Sequence, residues 1–219
     1  MITFEALKKD ETIRAYIEKA DQSLRALGYT DHSFSHVLHV AETAGYILRT
    51  LNYPAHDVEL VKIAGYLHDI GNLINRTSHS ITGAVMAFQL MQDMDMAPED
   101  IATVATAIGN HDEGTGIAVN PIAAALILAD KSDVRRSRVR NNDHSRFDIH
   151  DRVNYSVYRS MLRINEERTD IHLELKVDPG YSSVMDYFEI FMSRMQMCRK
   201  AAQALGLEFR LTINDQQLI

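Results

Sequence analysis

Between residues 10 and 134 the apolar side chains recur at helical spacing, and stop signals cut that run into six segments. Nothing else in the sequence restricts the fold as strongly. Asp10 caps a first segment reaching Leu27, with Gly28 as its stop, and a second spans Ser33 to Leu51. A third starts at Pro54, where a missing N–H costs nothing, and runs to about Ile70, ended by Gly71. Thr77 or Ser78 opens a fourth to about Asp95, Pro98 a fifth to about Asn110, and Asn120–Pro121 a sixth to about Val134. The connections are short or moderate, so a helical bundle is the expected packing.

After residue 135 the character changes. Arg135 to Arg146 is basic, polar and loop-like, whereas 171–177 and 208–214 alternate apolar and polar side chains as half-buried strands do. A long amphipathic stretch, Ser183 to Leu205, separates those two, and 161–165 suggests a third strand. The chain therefore reads as mainly α, with a helical domain over 1–149 and a small α+β appendage over 150–219.

Composition removes several classes of function. Hydrophobic residues make up 46% and charged residues 24%, ordinary globular values that exclude a disordered or low-complexity chain. A lone cysteine, Cys198, excludes a disulfide scaffold or a thiolate zinc module and reads as a thiol without a catalytic role. The net charge of -7 argues against a stable nucleic-acid complex. The apolar run Ile122 to Ala129 is too short for a membrane span, and MITFEALKKDE carries no secretory pattern, so a cytoplasmic location is expected. Histidine is the exception: of ten in the chain, seven lie between residues 32 and 111.

Asp130 closes the most apolar helix of the chain, where an ionised carboxylate is costly unless it is paired or bound to a cation. A mere helix-end aspartate beside Lys131 is the plain alternative. His68 lies on the apolar stripe of its own helix, and Asp69 follows where that helix stops, so both side chains can turn toward one point. In the second helix His36 sits roughly 80° from the centre of the apolar stripe and His39 roughly 140°. His36 therefore borders the core, and His39 and His32 are assigned to the solvated face. His79 opens one helix and His111 closes another. Imidazole plus carboxylate suits a divalent transition metal (Fe, Mn, Zn, Ni or Co).

The order His36, His68–Asp69, Asp130, within HVLHVAETA, YLHDIGN and LILADKSDVRR, resembles the signature of the HD-domain metal-dependent phosphohydrolases over roughly residues 30–136. The resemblance implies an all-α bundle whose metal ligands are His36, His68, Asp69 and Asp130. His79 and His111 resemble the additional ligands of two-metal subgroups, including bacterial enzymes that split dinucleoside tetraphosphates, so one or two ions are implied. Asp112 stands where cyclic-dinucleotide phosphodiesterases have a second histidine, and both their GYP loop and the HDxxED string of guanosine-tetraphosphate hydrolases are missing.

The function so implied is cleavage of a nucleotide or related phosphate ester or anhydride, by attack of a metal-bound hydroxide on phosphorus. Asp69 is expected to bridge two ions and, with Lys131, to be catalytic. Lys131, Arg135 and Arg136 are expected to bind substrate phosphate, since arginine forks match its oxygens. A non-catalytic module that senses a nucleotide is the alternative, motivated by the α+β appendage. The alternating strands could pair a homodimer or form a lid over the site, and the sequence does not choose between them.

Overall fold

The computed structural model describes residues 2–141 and 143–219. After the short α1 (Phe4–Leu7), the Asp10 carboxylate accepts from the Ile13 amide at 2.9 Å and starts α2 (Glu11–Ala26). Helix α2 buries Ile13, Ile17, Ala20 and Leu24 along one stripe. Helices α3 (Phe34–Thr50), α4 (Ala55–Leu67), α5 (His79–Asp93), α6 (Pro98–Gly109) and α7 (Pro121–Ser132) complete the bundle. All six expected helices are present. Among the described residues, no helix is long and apolar enough to cross a membrane.

Helix α7 is the axis. From Ile122 to Ser132 every residue is buried, as a helix that is apolar all round requires. Helices α3, α4, α6 and α9 (Val184–Ala204) surround it, so anything at its C-terminal end faces the middle of the protein.

The third segment ends earlier than its sequence suggests. Helix α4 stops at Leu67 with His68 as its cap, and a 3-10 turn over Ile70–Leu73 follows. Gly71 lies inside that turn and is no helix stop. A Cβ there would fall 2.0 Å from the His79 carbonyl oxygen and 2.4 Å from the Gly83 nitrogen, so the turn packs directly on the start of α5. Gly65 has the same function one helix earlier: a Cβ would lie 2.7 Å from Ala41 Cα, where α3 and α4 cross backbone to backbone. Absent side chains at these two positions let three helix ends meet.

The C-terminal part contains a sheet in the order β1 (Val157–Ile164), β2 (Asp170–Val177), β3 (Glu208–Ile213), β4 (Gln216–Gln217). Strands β1 and β2 are antiparallel, while β2 and β3 are parallel and joined through α9 (Val184–Ala204). Leu173 opposes Leu211 and Ile171 opposes Phe209, and these inward side chains meet α9. Helix α8 (Ile149–Ser156), capped by Asp148, and the two-residue β4 go beyond the one helix and three strands expected there. Two 3-10 turns, Arg136–Arg138 and His144–Arg146, interrupt the basic loop. The apolar core runs without a break from the bundle into the sheet, because α9 packs against α7 on one side and β3 on the other.

Candidate metal centre

Five segments converge beside the end of α7. His36 comes from the first turn of α3, His68 caps α4, Asp69 opens the 3-10 turn, and His79 is the first residue of α5. His111 follows α6, and Asp130 lies in the last turn of α7. All six are buried.

Every imidazole is turned the same way. His68 Nδ1 donates to the Gly65 carbonyl at 2.8 Å, His79 Nδ1 to that of Arg76 at 3.1 Å, and His111 Nδ1 to that of Ile108 at 2.6 Å. His36 Nδ1 donates to Asp133 Oδ2 at 2.7 Å. Carbonyls and carboxylates only accept, so Nδ1 carries a hydrogen in each ring and Nε2 is turned inward. The Nε2 atoms of His36 and His68 are buried and have no hydrogen-bond partner among the described residues.

The inward atoms fall into two groups that share Asp69. Its Oδ2 lies 3.5 Å from His36 Nε2 and 3.3 Å from His68 Nε2, while Asp130 Oδ1 lies 3.4 and 3.7 Å from the same two nitrogens. Its Oδ1 lies 3.6 Å from His79 Nε2, which stands 3.2 Å from His111 Nε2. Ligand atoms about 2.0–2.2 Å from one ion stand roughly 3.0–3.6 Å apart at octahedral to tetrahedral angles, so these spacings suit coordination shells.

The electrostatics call for positive charge. Burial opposes a proton on His68, but Asp69 and Asp130 outweigh it and raise the imidazole to about 10. Burial, with the positive charge on His68 behind it, pushes His111 down to about 3, and burial lowers His79 as well. His79 and His111 therefore face each other as two neutral rings, lone pair to lone pair. A cation between them relieves that contact, and one beside Asp69 and Asp130 replaces the His68 proton. The residues fit a divalent metal.

Lys131 lies at the edge of this cluster with Nζ 2.7 Å from Asp130 Oδ2 and 3.2 Å from Glu113 Oε2. Burial disfavours its charge, yet the two carboxylates raise its pKa above the ordinary lysine value. Arg135 and Arg136, expected at substrate phosphate, are engaged elsewhere. Arg135 Nε binds Asp133 Oδ1 at 2.6 Å. Arg136 Nε binds the Tyr155 carbonyl at 2.6 Å, and its guanidinium lies over the Tyr155 ring at 4.5 Å. The buried Asp133 carboxylate needs positive partners, and the basic stretch supplies them with Arg135 and Arg138. His32 also differs from its expected place on the solvated face. It is half-buried, its ring meets that of His36 edge-on at 5.4 Å, and burial holds it well below the ordinary imidazole value. His39 does keep a half-exposed side chain.

Asp133, Asn72, Arg76, Glu113 and Arg194 were not legible as site residues. Asp133 had a signal: a second acidic residue three positions after Asp130, in the same apolar setting. It orients His36, and against the cost of burial the His36 hydrogen bond, with Arg138 and Arg135 behind it, holds its own pKa far below the ordinary carboxylate value. Replacing Asp133 by Asn should weaken metal affinity about 10–100-fold, as read by metal titration, with the fold unchanged by circular dichroism. Undiminished affinity would mean that His36 needs no such support.

A model of the HD domain matches residues 33–152, more than half of the chain and a span that holds all six converging side chains. An uncharacterized protein of Methanocaldococcus jannaschii is 24% identical over 189 residues, 75% of this chain and 72% of its own length. A solved structure described as a predicted HD superfamily hydrolase, from an uncultured Thermotogales bacterium, aligns with a TM-score of 0.45 and 23% identity, covering 62% of this chain and 75% of that one. The matched span begins just before His36 and takes in the His68–Asp69 doublet and Asp130, so the chain belongs to the HD-domain family.

Proposed function

We propose that the protein is a metal-dependent phosphohydrolase acting on a small nucleotide-like phosphate ester or anhydride. One observation supports the proposal: four imidazole Nε2 atoms and two carboxylates converge in one buried region, two of those nitrogens without a hydrogen-bond partner among the described residues. His36, His68, Asp69 and Asp130 would hold one divalent ion, and the second oxygen of Asp69, with His79 and His111, another. Such ions supply Lewis acidity to water and to phosphate oxygens.

The chain's own residues prepare that chemistry. Asn72 Nδ2 donates to Asp69 Oδ1 at 2.9 Å and holds the shared carboxylate in place. Lys131 neutralises Asp130 Oδ2 and leaves Oδ1 facing His36 and His68, so we assign it to positioning Asp130. Arg76 Nη1, 3.9 Å from Asp69 Oδ1, brings positive charge to the mouth where an anionic substrate enters. We also propose a division into a metal-binding unit over 1–149 and an α+β subdomain over 150–219. In its favour, the matched span ends at residue 152.

Purified protein should contain one or two divalent ions per chain by elemental mass spectrometry and release phosphate from at least one nucleotide. Metal-replete protein inert toward monoesters, diesters and anhydrides alike would overturn the proposal. Thermal stabilisation by a nucleotide that is recovered unchanged would assign the same site to sensing.

A further inference from the structure

A cavity of about 440 Å3 adjoins the metal cluster. Arg76, Arg138 and Arg194 belong both to its wall and to the rim of the cluster, so three guanidiniums stand in the passage between them. Arg138 is already engaged through each of its three nitrogens. It donates to the Asp31 carbonyl through Nε and Nη2, at 3.0 and 2.8 Å, and to the Asp133 carbonyl through Nη1 at 2.8 Å.

Arg76 and Arg194 differ. Arg194 projects from α9, beyond the span that defines the family, and its Nε lies 2.6 Å from Glu113 Oε1. Glu113 also meets Lys131, and these two cations outweigh burial and hold its carboxyl down at about 2. The Phe191 ring lies beneath the guanidinium at 4.7 Å. Arg194 is thus held by the charge of Glu113 and by the Phe191 ring, while its terminal nitrogens have no hydrogen-bond partner among the described residues. Arg76 is held only through Nη1, 3.3 Å from Asn72 Oδ1, with the Tyr29 ring 5.6 Å away. Two oriented, partly buried forks with unused N–H donors match the oxygens of a phosphate. The cavity lining also includes Asp148 and Asp151, which repel additional phosphate and accept from hydroxyl or amino groups.

We propose that Arg76 and Arg194 clamp a phosphate adjoining the one under attack, so that the substrate is a phosphoanhydride with its organic end in the cavity, and not a monoester. This rests on the phosphohydrolase reading above. In the reaction so arranged, a water oxygen bonds to the attacked phosphorus and the bridging P–O bond breaks. The electron pair stays on the bridging oxygen of the clamped phosphate, where the guanidiniums neutralise it, and the water's proton passes to solvent.

The test is calorimetric binding of imidodiphosphate, which resists hydrolysis, and of inorganic phosphate to the metal-loaded full chain. Arg194→Gln and Arg76→Gln should each weaken imidodiphosphate binding by about tenfold or more, and phosphate binding by less than about twofold. Arg199→Gln, on the exposed face of α9, should change neither. Because Arg194→Gln removes one of the two cations of Glu113, the double variant Glu113→Gln/Arg194→Gln is measured beside it, with a thermal melt to establish folding. Equal losses for both anions would place the arginines on the attacked phosphate and overturn the proposal, as would no loss at all. Failure of the wild type to hydrolyse any phosphate compound would sink the phosphohydrolase reading alone, since the binding difference does not depend on turnover.

Discussion

Asp69→Ala is expected to strip the protein of bound divalent metal and to lower phosphate release by about a thousandfold, the equivalent of about 4 kcal/mol of transition-state stabilisation. Among the six converging residues, Asp69 alone turns one oxygen toward each of the two histidine groups. Oδ2 lies toward His36 and His68, and Oδ1 toward His79. Truncation therefore takes one oxygen from each group at once. It also takes from His68 the main attraction that overcomes burial, so the imidazole loses its reason to be charged. Asp69→Asn is the sharper variant, because it keeps the shape and a polar partner for Asn72 while removing the charge. Elemental analysis should find both variants depleted, with their melting transitions still cooperative. A full metal complement together with undiminished turnover in Asp69→Asn would refute the shared-carboxylate arrangement.

The helices were readable because their signals are local. Asp10, Pro54, Pro98 and Asn120–Pro121 each act within a turn of their own position, and each begins a helix within a residue of where its chemistry places it. His36, His68, Asp69 and Asp130 were readable for a related reason: a polar group on an apolar stripe conflicts with its surroundings, and the conflict is visible without knowing the fold. What was not readable is pairing over long distances. Arg135 and Arg136 looked free for phosphate, since a sequence does not disclose that a buried Asp133 and the Tyr155 carbonyl will take them. Arg194 looked like one more polar residue on an amphipathic helix. Its place at the rim of the cluster follows from α9 packing on α7, a tertiary contact with no local trace. His32 was misassigned because the helical wheel stops at Ser33, just before the residue whose ring packs on His36.

Gly71 tests whether the convergence depends on backbone contact as well as on ligand chemistry. In the sequence Gly71 reads as a terminator, a role that alanine would fill with modest loss. In the folded protein its backbone conformation is unexceptional, and what forbids a side chain is space. An added Cβ would fall 2.0 Å from the His79 carbonyl oxygen, 2.4 Å from the Gly83 nitrogen and 2.7 Å from Thr82 Oγ1. The hydroxyl of Thr82 can rotate away, but the two backbone atoms belong to the first turns of α5 and cannot move without shifting the helix. Gly71→Ala should therefore cost at least about 3 kcal/mol, at the upper end of ordinary overpacking, and lower the melting temperature by about 6–12 °C. The direction of relief also matters. Moving α5 away from the turn carries His79 away from Asp69, widening a 3.6 Å separation that the second group of candidate ligands needs. Metal stoichiometry should consequently fall in Gly71→Ala even at temperatures where the variant is fully folded, although no ligand has been altered. Gly65→Ala, which separates α3 from α4, is the matching perturbation on the other side, acting on His36 and His68. If Gly71→Ala melts like the wild type and retains its ions, the close approach of the turn to α5 is not what holds His79 in register with Asp69.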